Sequence, residues 1–180
     1  IDGLLCQILI QANAFVPSEA GSILLEDPAT HTPDPADRRL VFVACFGERS
    51  EEILARSIPA GEGIVGRVYR SGKAYLSREV ERDRFFARKF AEGLDFRPES
   101  IICVPIRLEG EVCGVIELIN RRGAPSYGEG DLGLIEIFAG YISTSIRGLL
   151  DARLFLEMAR RDDLSGLAND RWLHHRLSEE

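Results

Sequence analysis

No stretch of the 180-residue chain approaches the roughly 20 consecutive apolar residues that a membrane span needs. Histidine is scarce: His31, His174 and His175 are all there is, and none clusters with a cysteine. Cys6, Cys45, Cys103 and Cys113 include no Cys-x-x-Cys pair, so no zinc site is legible. Excess positive charge is missing too. Twenty-two Lys and Arg stand against 29 Asp and Glu, and a net charge of −7 argues against broad attraction to nucleic acid or to an anionic membrane. The chain opens at Ile1 without a methionine and stops in polar Ser178-Glu179-Glu180. It reads as a piece of a longer protein, with any upstream targeting or sensor segment outside it.

What is present centres on Ser100–Asn120. Two runs rich in β-branched residues flank Glu109-Gly110, which reads as a tight hairpin turn. Pairing Leu108 with Glu111 in continuous register puts Ile102, Val104, Ile106, Cys113, Val115 and Ile119 on one face. The other face then carries Ile101, Cys103, Arg107, Val112, Ile116 and Leu118. Both faces are mostly apolar, which suits a central hairpin covered on both sides. Arg107 and Glu117 interrupt the rows on opposite faces, as residues near a rim do. Cys103 and Cys113 also point apart and cannot bridge within the hairpin. All four cysteines sit in apolar surroundings, as reduced cysteines of a cytosolic protein do.

Around the hairpin, Ile1, Leu5, Ile8, Ala12 and Phe15 form a heptad-like seam on a first helix, with Leu4 and Leu9 flanking it. Gly21–Asp27 and Arg39–Phe46 read as strands around a proline-rich loop, Pro28–Asp37. Ala60-Gly-Glu-Gly-Ile-Val-Gly66 precedes a helix. It lacks the Lys-Ser/Thr of a P-loop, so a tight turn with close helix packing is the reading. Ala74–Ser77 is a short strand, and Glu79–Glu92 carries Phe85, Phe86 and Phe90 at helical spacing. From Asp131 a helical pattern runs to about Arg160. Leu132, Ile135, Ala139, Ile142, Ile146 and Leu149 form one stripe, with Leu134, Phe138, Tyr141 and Phe155 on another. A helix apolar on two sides needs two partners, so the terminal helices are expected to build a parallel dimer interface. The element order indicates an α+β fold, an antiparallel sheet with helices on both faces.

In this order, Ser22-Ile-Leu-Leu, Gly61-Glu-Gly-Ile-Val-Gly66, Asp83-Arg-Phe85, Ser100-Ile-Ile-Cys-Val-Pro-Ile106 and Gly114-Val-Ile-Glu-Leu-Ile-Asn120 resemble a GAF domain over about Ile1–Asp151. The resemblance implies a GAF-like (profilin-like) antiparallel sheet of about six strands, with long N- and C-terminal helices on one face and a ligand pocket on the other. Phosphodiesterase-type GAF domains carry Asn-Lys…Phe-x-x-x-Asp-Glu. The matching positions here are Asn120-Arg121…Tyr127-x-x-x-Asp131-Leu132, which implies an Arg121–Asp131 salt bridge that fixes the loop. The family's Asp-x-x-Thr-Gly is replaced by Ala91–Phe96, and the absence of the threonine argues against cyclic-nucleotide recognition.

On this topology the residues bordering a cavity are Phe46, Ile64, Val65, Phe85, Phe86, Phe90, Phe96, Cys103 and Glu117. The continuous register lets only one of Cys103 and Glu117 line it, and Cys103 is the choice. Arg67 or Arg97 could meet a ligand anion. No cysteine precedes a histidine as bilin attachment requires, and histidine scarcity disfavours haem, so the cofactor is unknown. Cys103 is the one candidate for a reductase-type nucleophile, and its apolar strand setting makes it inert.

Beyond Asp151, Ala159–Leu173 resembles the opening of a GGDEF domain. Asp162, Leu164, Ser165, Gly166, Leu167 and Asn169 match its Asp-x-Leu-Thr/Ser-Gly-Leu-x-Asn-Arg pattern, with Asp170 standing where arginine is usual. Residues 152–180 are then a linker helix and the truncated start of that domain. The implied role is a cytoplasmic, small-molecule-sensing, homodimeric regulator of a diguanylate cyclase that makes cyclic di-GMP, without catalytic residues of its own here. The alternative is a dimerising spacer whose pocket is filled by its own side chains.

Overall fold

The computed structural model describes residues 2–48, 50–86 and 97–160, excepting the side chains of residues 2 and 156–160. Two compact units are distinguished, residues 1–143 and 144–180. The first opens with helix α1 (Asp2–Phe15), followed by strand β1 (Ser18–Glu26), strand β2 (Arg39–Phe46), the short helix α2 (Ser50–Ile53) and strand β3 (Ser57–Pro59). Helix α3 (Gly63–Ser71), strand β4 (Tyr75–Ser77), strand β5 (Ile101–Leu108) and strand β6 (Glu111–Arg121) come next. Helix α4 (Glu129–Arg160) begins in this unit, and its residues from 144 onward belong to the second. The second unit's described part is helical, with Leu150, Leu154 and Phe155 exposed.

Six strands form one sheet in the order β3-β2-β1-β6-β5-β4, with every neighbouring pair antiparallel. Leu5, Ile8, Leu9, Ala12 and Val16 recur at helical spacing and are buried where α1 lies along β1 and β2. On α4, Ile135, Ala139 and Ile142 are buried in the same way. The core of the opposite face joins α3 to the sheet through Ile64, Val65, Val68 and Tyr69. The GAF-like α+β architecture is therefore present, with β1 and β6 at the centre of its sheet.

The hairpin holds the main departure from the sequence reading. Glu109 and Gly110 both have positive φ, 54° and 92°, and Leu108 pairs with Glu111, as a two-residue turn requires. Arg107 pairs with Val112, but Ile106 then pairs with Gly114. Cys113 is the extra residue of a β-bulge, and one extra residue moves everything beyond it to the other face. Cys103 consequently pairs with Glu117 and Ile101 with Ile119, while Ile116 and Leu118 join Ile102 and Val104. The expectation that Cys103 and Glu117 point to opposite faces is overturned. Gly114 beside the bulge has a packing reason: a Cβ there would lie 2.3 Å from the carbonyl oxygen of Leu24.

Two other expectations change. Val80–Arg82 is a single 3-10 turn, and Asp83 leaves it in extended backbone with its carboxylate accepting from the Phe85 N–H. That local side-chain bond competes with helix continuation. The predicted helix over Glu79–Glu92 is thus absent from its described part, and residues 87–92 lie outside the described residues. The α1 seam and the α4 stripe, expected to divide between the sheet and a dimer partner, place Leu5, Ile8, Ala12, Ile135, Ala139 and Ile142 inside the unit's own core. What α1 and α4 leave exposed within this unit is Ile10, Phe15, Leu134, Ile137 and Tyr141, with Phe15 and Phe138 in ring contact at 5.8 Å.

Candidate functional site

Across the middle of the sheet, Cys45 pairs with Ser22, Ser22 with Glu117, Glu117 with Cys103, and Cys103 with Tyr75. Directly opposed residues in antiparallel strands share a face. Cys103 and Tyr75 belong to the core beneath α3, so this is the α3 side of the sheet. Glu117 is 9% exposed, and burial pushes its carboxyl up to about 7. Among the described residues no hydrogen-bond donor reaches that carboxyl. A polar group removed from water without a partner costs free energy, and a charged one costs more. The neutral acid is therefore the resting form over much of the range below neutrality.

The thiols beside it are kept protonated. Burial, reinforced by the Glu117 charge, pushes Cys103 well up. Burial and the neighbouring Cys6 and Glu117 raise Cys45 to about 12. Burial also raises Cys113. None presents a thiolate, the form that attacks or binds metal.

α3 is set over this face by glycines and by both of its ends. A Cβ on Gly66 would lie 2.7 Å from the Ala60 carbonyl oxygen, so the helix approaches the preceding turn as closely as backbone allows. Gly72 closes the helix in left-handed backbone, φ 63°, with its N–H on the Val68 carbonyl. Arg107 donates to the Gly72 carbonyl at 2.6 Å, tying β5 to the end of α3. Arg107 and Glu117, expected on opposite faces, therefore both serve the α3 side. From α3, the Tyr69 hydroxyl donates to Glu26, which also accepts from Arg38 at 3.3 Å and His31 at 2.6 Å. Burial alone would raise the Glu26 carboxyl, but the bonds from Tyr69 and His31 and the Arg38 charge outweigh it and hold it low.

Ile64, Val65, Phe85, Phe86 and Cys103 come together in the α3-side core, with Glu117 on the same face. Phe46 does not join them. It pairs with Gly21, which pairs with Leu118, so Phe46 lies on the opposite face; a Cβ on Gly21 would meet both side chains. Phe90 and Phe96 lie outside the described residues. Arg121 meets Asp131 at 3.2 Å, and Asp131 also accepts from the Gly128 N–H at 2.9 Å. Nearby, the Asn120 amide accepts from the Glu99 N–H and donates to the Arg97 carbonyl. The Tyr127 hydroxyl donates to Ser18 at 2.8 Å. Ser22, Cys45, Tyr69 and Tyr75 were missed from sequence. Their places depend on which residues face one another across strands far apart in the chain, and no local pattern records that.

Beyond its fold and site, the chain can be placed in a family. The GAF domain family model covers residues 1–147. The chain belongs to the GAF family. Among curated relatives, this GAF domain is 26% identical over 110 residues to a dual 3',5'-cyclic-AMP and -GMP phosphodiesterase 11A of Takifugu rubripes, covering 60% of the chain and 12% of that protein. It is 28% identical over 115 residues to a Nif-specific regulatory protein of Azospirillum lipoferum, covering 62% and 18%. The chain thus spans less than a fifth of either relative. In solved structures, the GAF domain of a phosphoenolpyruvate-protein phosphotransferase from Coxiella burnetii superposes with TM-score 0.70 at 15% identity, over 85% of this chain and 86% of that one. A free methionine-R-sulfoxide reductase from Neisseria meningitidis gives TM-score 0.66 at 16% identity, over 84% and 80%. These likenesses show the fold.

Proposed function

We propose that this GAF domain senses a small molecule held between α3 and the β1–β6–β5 face, with Glu117 as its polar anchor. The observation that carries the reading is the Glu117 carboxyl, buried on that face with no donor among the described residues. A pure packing core gains nothing from such a group, because an apolar side chain of the same volume fills the space without the desolvation cost. A ligand N–H or O–H placed against it would supply the missing bond.

The wider reading is a cytoplasmic regulator of a diguanylate cyclase. In it, Ile10, Phe15, Leu134, Ile137 and Tyr141 form the homodimer contact and α4 carries the signal toward the GGDEF-like stretch 159–173. Support for the output domain is the Asp162–Asn169 motif, which lies outside the described residues. Differential ligand affinity for two dimer arrangements would be the coupling. A thermal-shift screen of small metabolites tests the sensing step. Hits should raise the wild-type midpoint and lose that effect in Glu117→Leu, since a ligand stabilises only the state that binds it. A set of hits unaffected by Glu117→Leu would refute the anchor. The spacer reading is favoured by Phe85 and Phe86, which already pack into the α3-side core.

A further inference from the structure

Arg67 reaches out from α3 over two aromatic rings. Its guanidinium carbon lies 4.0 Å from the Phe85 ring centroid and 4.9 Å from that of Tyr75. The two rings meet edge-on, with centroids 5.7 Å apart and planes at 89°. Asp83 pins the platform: one carboxylate oxygen accepts from the Tyr75 hydroxyl at 2.9 Å and the other from the Phe85 N–H at 2.9 Å. A second guanidinium, that of Arg84, stands 4.6 Å from the same Phe85 centroid. Tyr75, Asp83 and Arg84 also border an open groove of about 350 Å³.

The neighbouring arginines are used differently. Arg78 pairs with Glu129, Arg82 with Glu79, Arg97 with Glu81, and Arg38 with Glu26. Among the described residues, Arg67 and Arg84 have no carboxylate partner; of the acids bordering the groove, Asp83 has both oxygens engaged and Glu79 is paired with Arg82. In a chain of net charge −7, two arginines sharing one ring without a salt bridge stand out. Stacking on a ring fixes the plane of a guanidinium while leaving its N–H edge open, and it leaves the charge unneutralised. A planar fork of donors held in this way suits the paired oxygens of a phosphate or carboxylate.

We propose that Arg67 and Arg84, carried on the Phe85 ring, form a binding site for a small oxyanion, either free phosphate or the phosphate or carboxylate of an organic molecule. The site lies toward the Tyr75 end of the cross-strand row that holds Glu117, and differs from it in chemistry, since Glu117 selects a donor and not an anion. Arg97, the other arginine considered as an anion contact from sequence, is already paired with Glu81 and takes no part.

The test is a titration followed by the arginine Nε–Hε signals of the 15N-labelled protein at constant ionic strength. The probes are inorganic phosphate, phenyl phosphate and benzoate, with chloride as the reference salt. Saturable shifts at Arg67 and Arg84, with none at Arg82, are expected. Arg67→Met should weaken phosphate binding tenfold or more, and Arg84→Met at its exposed position several-fold. Phenyl phosphate or benzoate binding more tightly than inorganic phosphate assigns the site to an organic ligand, and tighter inorganic phosphate assigns it to the free ion. Shifts that grow linearly and match those of chloride overturn the proposal. So does unchanged phosphate affinity in a folded Arg67→Met or, should that variant not fold, in Arg84→Met. Phosphate binding here with no Glu117-dependent hit among metabolites would leave the anion site standing and remove the sensing reading.

Discussion

Glu117 on β6 faces Cys103 on β5 as its cross-strand partner, on the side of the sheet that α3 covers. A carboxyl and a thiol thus lie side by side in the interior, where burial raises both and the Glu117 charge further raises the cost of ionising the Cys103 thiol.

The first prediction concerns pH. The Glu117 carboxyl has an ordinary value of 4.5 and is raised in the folded state to about 7. The folded state therefore holds the proton more tightly than the unfolded chain. Its contribution is complete below pH 4.5 and is lost as pH rises toward 7, with a total of about 3 kcal/mol. Cys103, Cys45 and Tyr127 are electrostatically coupled to Glu117 and stay neutral throughout this window. Urea unfolding at a series of pH values should show the decline in wild type and a flattened profile in Glu117→Gln.

Thiol chemistry gives the second. Cys103 is fully buried with its thiol held protonated. Iodoacetamide at pH 8 should leave it unmodified in the folded protein, with labelling at least 100-fold faster in urea. Peptide mass spectrometry reads the site, and rapid native labelling of Cys103 would contradict its placement.

Gly66 supplies a third. A Cβ there would press on backbone, at 2.7 Å from the Ala60 oxygen and 2.9 Å from the Gly61 carbonyl carbon. Neither contact can swing away as a side chain can. Gly66→Ala should cost about 2 kcal/mol by overpacking, despite the better helix propensity of alanine. A neutral or stabilising result would mean that α3 sits less closely on the turn before it.

These residues also mark what the sequence could and could not reveal. The two-residue turn at Glu109-Gly110 was legible because its backbone needs are local, and so was the glycine-dependent packing of α3. The faces of the hairpin were not. Cys113 itself is an ordinary strand residue, and the one local signal of a bulge is the isolated Gly114 that follows it, which the continuous register passes over. The bulged residue decides whether Glu117 points toward α3 or away from it. In the same way, α1 and α4 displayed apolar stripes correctly, but periodicity alone cannot say which stripe meets the sheet.

The fourth prediction uses that distinction. Ile142 is fully buried, so Ile142→Glu should unfold the domain and report nothing about association. Ile137 and Tyr141 are 69% and 57% exposed. Ile137→Glu with Tyr141→Glu should leave the fold intact and convert a dimer to a monomer in analytical ultracentrifugation. A wild-type protein that sediments as a monomer at high concentration would remove the dimer from the proposal.

The loop after β6 supplies the fifth. Arg121 and Asp131 are mostly buried, with side chains 18% and 16% exposed, and Asp131 also holds the Gly128 N–H. Arg121→Ala or Asp131→Ala should cost about 2 kcal/mol, more than an exposed pair would. In a double-mutant cycle the two losses should be less than additive. Additive losses in denaturant titrations would show that the pair does not act as a unit.

Sensing itself is tested most directly by native mass spectrometry of the purified domain, wild type beside Glu117→Leu. The account predicts a bound small molecule on the wild-type protein, carried through purification or taken up from a metabolite mixture. That added mass should disappear on denaturation and be absent from the folded Glu117→Leu variant. A wild-type spectrum that stays at the bare protein mass under both conditions, or an adduct equally present on Glu117→Leu, would contradict it.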